Sequence, residues 1–197
     1  MINIGPQHPA THGVLRLKVT LEGEVIRDVE PVLGYLHRGV EKLFEDGSYL
    51  QAIPMTDRLD YLAAMHNNYA PGHSVETLMG VSAQIPERAQ YIRALTTEVQ
   101  RIASHLLWLG AFGLDLGAMT SFWWTVRDRE GAISLMERLS GARPTYNWFR
   151  IGGANNDLPP GWLEECTKYV QYMRVRLPEY HNLPTDKGIL TPRTRPH

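Results

Sequence analysis

Downstream of Pro86, apolar residues fall at Ile92, Leu95, Val99, Ile102, Leu106 and Leu109, alternately three and four residues apart. That spacing returns each side chain to one face of a 3.6-residue helix, so the segment forms a long helix with a buried stripe. A helix of this kind needs partners. The sequence offers a second long one over about Thr120 to Leu139, with Phe122, Val126, Ile133 and Met136 on one side, and a third over about Trp162 to Arg176. Shorter helices are expected over Val40 to Glu45 and Leu59 to Ala70. Ala70-Pro71-Gly72 should break or kink the chain before helix resumes over Val75 to Val81. The stretch from Gly141 to Gly161, carrying Gly152-Gly153 and Pro159-Pro160, reads as loop.

The start of the chain is different. Val14 to Leu21 alternates apolar and polar residues, Val25 to Leu33 does so less regularly, and Glu22-Gly23 supplies a turn between them. Pro31 confines the second strand to an edge or an early end. The fold class is therefore α+β, an antiparallel β-hairpin leading into a mainly helical bundle. Three segments follow: a hairpin over 1–33, a helical bundle over 34–182, and an irregular tail over 183–197.

Composition removes several function classes. Lys and Arg total 20 against 21 Asp and Glu, a balance unlike that of a dedicated nucleic-acid binder. The single cysteine, Cys166, leaves no internal disulfide and no all-thiolate cluster or zinc site. The longest apolar stretch, around Leu106 to Leu116, is broken by glycines and Asp115 and falls short of the ~20 residues that span a bilayer. The opening MINIGPQHP shows neither the charged region nor the apolar core of a signal peptide.

Within this frame a few residues could carry chemistry. His8 and His12 sit in the proline-stiffened stretch GPQHPATHGVLRL before the first strand. They read equally as loop-packing histidines or as a proton donor offered to a small molecule, because imidazole titrates near neutrality. A zinc pair lacks a clear third ligand. In TDRLDYL, Asp57 could cap a helix and Arg58 could pair with Asp60, leaving Tyr61 a packing residue. Arg38, in HRG, ordinarily means solubility alone. Asp115 interrupts the apolar run WLGAFGLDLGAM, and a buried carboxylate there needs a cationic or proton-donating partner.

Taken together, GPQHPATHGVLRL, GYLHRGVEKL, DRLDYL, ASHLLWLGAFGLDLGAMT and RIGGANNDLP resemble the 49 kDa subunit of respiratory complex I and its counterpart in the plastid complex. The match runs from about Asn3 to about Tyr180. The resemblance implies a quinone-binding subunit of the peripheral arm of a proton-translocating NADH:quinone oxidoreductase, inactive alone. It implies that His8, His12 and Tyr61 bind the quinone, His12 and Tyr61 facing each other across the headgroup, and that Asp115 pairs with His12, so that His12, Tyr61 and Asp115 form the catalytic set. It places Arg38 beside a 4Fe–4S cluster held by an adjacent small subunit, and it gives this chain no metal or cofactor of its own. Implied partners are that cluster-binding subunit, other peripheral-arm subunits, membrane subunits and quinone, without nucleic acid; NADH serves the whole complex. The implied location is peripheral, on the cytoplasmic face of the bacterial inner membrane or an equivalent organelle membrane. Chemistry agrees, since making a quinol takes two electrons and two protons, and a phenol and an imidazole can donate at the two carbonyls.

The same resemblance implies kinship with nickel–iron hydrogenase large subunits. Their metal-holding cysteine pairs are missing here, Asp60 and Ala63 standing where the first would be. Three departures from the family pattern stand out. Members run to about twice this length, which makes a truncated or split, non-catalytic scaffold the alternative reading. Thr145 and Tyr146 replace the histidine that many members carry before RIGG. NNYAPGHSVET stands in place of a continuous alanine-rich helix after DRLDY.

Overall fold

The computed structural model describes residues 1–9 and 12–185, with side chains to residue 182. The chain divides into two compact units, Met1–Asp46 and Gly47–His197. The α+β class holds.

The first unit is a three-stranded antiparallel sheet in the order β1 (Ile2–Ile4), β2 (Arg16–Glu22), β3 (Val25–Val32), followed by a short helix α1 (Val40–Glu45). The expected hairpin is β2–β3, with Val19 opposite Val29 and Lys18 paired to Glu30 at 3.0 Å. Pro31 lies on β3, an edge strand, where its missing N–H breaks no ladder on the outer side. β1 carries no sequence signature: three residues are too few to show an alternation, and pairing with β2 creates the strand.

The second unit is a helical bundle. It comprises α2 (Tyr49–Thr56), α3 (Ala64–Leu78), α4 (Glu87–Asp115), α5 (Met119–Ser140) and α6 (Trp162–Thr185), with a small hairpin of β4 (Phe149–Arg150) and β5 (Gly153–Ala154) between the last two. The α4 stripe is buried as its spacing predicts, Ile92, Val99 and Leu106 fully and Leu95, Ile102 and Leu109 in part. On α5 the buried face is instead Ser121, Thr125, Asp128, Ala132, Leu135 and Leu139, with Ile133 and Met136 beside it. Phe122 and Val126 are only half-buried. The helix hairpin closes tightly because a Cβ at Gly110 would lie 2.2 Å from Thr125 Oγ1 and 3.4 Å from the Phe122 backbone.

Three helical expectations need correction. The helix expected from Leu59 begins at Ala64, residues 57–63 forming turns. α3 does not break at Pro71 but runs through it, because Ala64, Met65, Asn68, Gly72, Val75 and Glu76 form one continuous buried face. A proline inside a helix costs about 3 kcal/mol. Here Tyr69 and His73 stack across it, ring centroids 5.6 Å apart, and Glu76 ties the far end to α4 through Arg93. α6 extends past Arg176 to Thr185 because Tyr180 is buried and its hydroxyl donates to Asp128 on α5. The irregular tail expected over 183–197 is corrected at its start, since α6 takes in residues 183–185; residues 186–197 lie outside the described residues. No helix among the described residues is long and apolar enough to cross a membrane.

Candidate functional site

In the first unit, His8 and His12 lie on the loop that leads into β2. A bridge between His8 and Gly13 closes that loop, and His12 takes a left-handed backbone conformation with φ 47°. Non-glycine residues rarely adopt it, and such strain concentrates at functional positions. His12 lines an apolar pocket of about 240 Å³ walled by Val14, Leu15, Val32, Leu33 and Leu36. Tyr35 is the other titratable side chain in its lining. A volume of this size falls just below the roughly 300–1,000 Å³ of pockets that take drug-sized ligands, which leaves room for a single substituted ring. Arg38 is exposed on the segment between β3 and α1.

In the second unit, Tyr61 is not a core residue. It sits in the turn between α2 and α3, 63% exposed. That turn is held from three directions. Asp60 Oδ1 accepts from the Leu62 N–H at 3.0 Å, Asn67 Nδ2 donates to the Asp60 carbonyl at 2.8 Å, and Gln100 Nε2 on α4 donates to the Leu62 carbonyl at 2.5 Å. A pinned backbone with an exposed phenol is a means of presenting a hydroxyl.

Asp115 is exposed, against the expectation of burial. The apolar residues around it face outward. Trp108, Phe112, Leu114, Met119 and Trp123 all expose their side chains around the α4–α5 turn, with Trp108 and Phe112 stacked at 5.6 Å. As the last residue of α4, Asp115 sits at the negative end of the helix dipole, where a carboxylate is disfavoured by about 0.3–1 kcal/mol. It lies fifteen residues beyond Gln100, about 22 Å further along the helix axis. Tyr61 and Asp115 thus belong to different levels of α4, and His12 belongs to the other unit.

Asp57, read as the cap of a helix start, instead ends α2 as its C-cap residue. It follows α2 and is completely buried, its Oδ2 accepting the Asn147 N–H at 2.9 Å. Arg58 donates to the Pro54 carbonyl at 2.5 Å. Burial raises the Asp57 carboxyl above its ordinary value, against the opposing pull of the Asn147 N–H and Arg58. The folded form therefore binds a proton more tightly than the unfolded chain, so Asp57 contributes stability at low pH that is lost as pH rises through its folded pKa. Asp57→Asn should remove that loss and flatten the stability profile above the ordinary carboxylate pKa. Urea denaturation at several pH values measures it, and an unchanged slope would contradict the placement.

Two buried charge networks leave no trace in the sequence pattern. Glu76 and Arg93 pair at 2.6 and 3.1 Å, while Arg93 also donates to the carbonyls of Gly153 and Arg150 at 3.0 and 2.6 Å. Glu76 receives the Gly152 N–H at 2.7 Å, so the pair clamps the β4–β5 hairpin onto α3 and α4. Asp128 on α5 accepts from Arg127, Tyr172, Arg176 and Tyr180. Burial alone would raise its pKa, but those four donors outweigh it and hold the carboxyl well below the usual range. Partners far apart in the chain leave no local pattern, although Asp128 does fall on the buried register of α5. Nowhere among the described residues do three or more His, Cys, Asp or Glu side chains gather to hold a metal.

Comparison with known proteins bears on these residues as a set. Residues 115–196 match the family described as respiratory-chain NADH dehydrogenase, 49 Kd subunit. An NADH-quinone oxidoreductase subunit of Geobacillus thermodenitrificans is 52% identical over 193 residues, 98% of this chain and 52% of the relative. Its counterpart in Geobacillus kaustophilus gives the same figures, and that of Bacillus cereus is 50% identical over 99% of the chain. The chain belongs to the 49 kDa subunit family of respiratory complex I. It spans about half the length of the curated relatives it matches. The likeness to these relatives covers both units, from the His12 pocket to α6.

Proposed function

We propose that this chain forms part of the quinone site of an NADH:quinone oxidoreductase, as a peripheral-arm subunit that is inactive alone. The observation that carries the reading is His12, held in a strained conformation at an apolar pocket of one-ring size. The chain around it is similar to quinone oxidoreductase subunits over 98% of its length. In this reading His12 and Tyr61 donate hydrogen bonds to the headgroup carbonyls, His8 lies at the same loop, and Asp115 sustains the imidazolium form of His12 as protons are consumed. Electrons arrive from a 4Fe–4S cluster in an adjacent small subunit. Arg38 near that cluster favours its reduced, more negative state by Coulomb attraction.

The exposed aromatic surface at the α4–α5 turn fits burial against other subunits, since contiguous apolar patches mark interaction sites. Other peripheral-arm and membrane subunits complete the quinone path, and the assembly sits on the cytoplasmic face of its membrane. NADH is consumed elsewhere in the complex. The bundle shares its ancestry with nickel–iron hydrogenase large subunits but has no cysteine pairs for their metals, Cys166 being single and buried.

The experiment uses the assembled complex with its electron input intact. His12→Ala should abolish quinone reduction while NADH still reduces the cluster. If Asp115 acts through His12, the cycle of His12→Ala and Asp115→Asn shows coupling of about 0.5–3 kcal/mol, as for contacting groups. Unchanged quinone turnover in His12→Ala would overturn the reading.

A further inference from the structure

We propose that Gln100 on α4 is a positioning residue that sets Tyr61 for the quinone by fixing the carbonyl of Leu62. The inference rests on the reading in which Tyr61 donates to a quinone carbonyl, and it assigns a residue that the reading does not use.

Gln100 falls on the buried face of α4, between Val99 and Ala103, and is 1% exposed. An apolar side chain would satisfy that register, and a buried amide costs free energy unless its groups are paired. Here the pairing is incomplete. Nε2 donates to the Leu62 carbonyl at 2.5 Å, whereas Oε1 is buried and accepts no hydrogen bond from the described residues. Turning the amide over would not help, because Oε1 would then face the Leu62 carbonyl, acceptor against acceptor. The side chain thus keeps an unpaired acceptor in the core for the sake of one bond, and that bond goes to the residue next to Tyr61. A buried polar atom left unpaired in a native fold calls for an explanation beyond packing.

The other two bonds that hold the turn are local. The Leu62 N–H donates to Asp60 Oδ1 and Asn67 Nδ2 to the Asp60 carbonyl, so both lie within residues 60–67 and travel with the turn. Gln100 reaches it across a separation of 38 residues, from the 29-residue helix α4. It ties the Leu62 carbonyl to α4 and so sets where the Tyr61 backbone stands against the bundle. Because Tyr61 is 63% exposed, packing holds its ring weakly and the backbone anchor carries more of its placement.

The test is NADH-driven reduction of a short-chain quinone by the assembled complex, with quinone concentration varied and rates normalised to NADH oxidation by hexacyanoferrate. Gln100→Leu keeps a buried side chain of similar size and removes the donor. It should lower kcat by about tenfold to a hundredfold, the cost of a misplaced reacting group, with KM within twofold. In a Tyr61→Phe background the same change should lower kcat no further, because Gln100 acts through the phenol. Gln100→Glu supplies a signature that packing cannot, since its carboxylate has no proton to donate and its protonated form has one. Burial raises the pKa of such a carboxyl, so kcat relative to wild type should recover as pH falls. This variant carries the test even where Gln100→Leu does not assemble. A kcat within twofold of wild type in Gln100→Leu, an equal loss with and without the Tyr61 hydroxyl, or a Gln100→Glu profile parallel to wild type overturns the proposal. Tyr61→Phe separates the two failures. If it collapses quinone turnover while Gln100→Leu spares it, the Gln100 assignment alone is wrong. If Tyr61→Phe spares turnover, the Tyr61 role in the quinone reading is wrong and Gln100 has nothing to position.

Discussion

Arg93→Met should lower the unfolding free energy by about 3–5 kcal/mol, the loss seen when one partner of a buried ion pair is removed. The cost arises from what stays behind. Glu76 is fully buried and would lose both guanidinium contacts, keeping the Gly152 N–H. The carbonyls of Gly153 and Arg150 would lose their donor in the same step. Arg93 also lies over the rings of Tyr69 and Phe149, at 5.6 and 6.0 Å, so its removal loosens the packing of the β4–β5 hairpin. Denaturant melts of the single variants and of Arg93→Met/Glu76→Gln measure the effect. The double variant should lose less than the sum of the singles, because the stranded charge goes with the second change. Simple additivity would show that the two side chains act independently, against the geometry.

The second large effect concerns Tyr61 and is kinetic. With its ring mostly in solvent, Tyr61→Phe should leave stability within about 0.5 kcal/mol, as surface changes do. If the phenol donates to a quinone carbonyl, however, the change removes a donor just as negative charge develops on that oxygen. Loss of one such donor costs on the order of 10²–10³ in rate in a water-poor site. Quinone reduction by the assembled complex should therefore collapse while NADH-driven cluster reduction stays normal. Near-wild-type quinone turnover would remove Tyr61 from the site.

Legibility in the letters depends on whether the signal is local. The α4 stripe is legible because six apolar residues repeat at helical spacing, and Pro31 announces an edge strand. α3 is not, because the local rule for Pro71 is outweighed by a buried face and by the Glu76–Arg93 pair, neither visible in a short window. α2 does carry a signal: Ser48 and Gln51 form a capping box, with Ser48 N–H donating to Gln51 Oε1 at 2.9 Å. Pro54 inside that helix obscures it. Asp115 defies its context because apolar neighbours imply burial, whereas Trp108, Phe112, Leu114, Met119 and Trp123 are themselves exposed. At the candidate site, the role proposed for His12 comes from the family resemblance; the proline-bound loop indicates only its rigidity.

The account stands on a quinone headgroup occupying the His12 pocket, and photoaffinity labelling tests that most directly. The assembled complex is illuminated with an azido-substituted short-chain quinone, with and without excess unlabelled quinone, and the labelled peptides are mapped. Labelling should concentrate within residues 12–36, around the pocket walls, and disappear with competitor. Competitor-sensitive labelling that avoids this segment and falls only elsewhere would contradict the account.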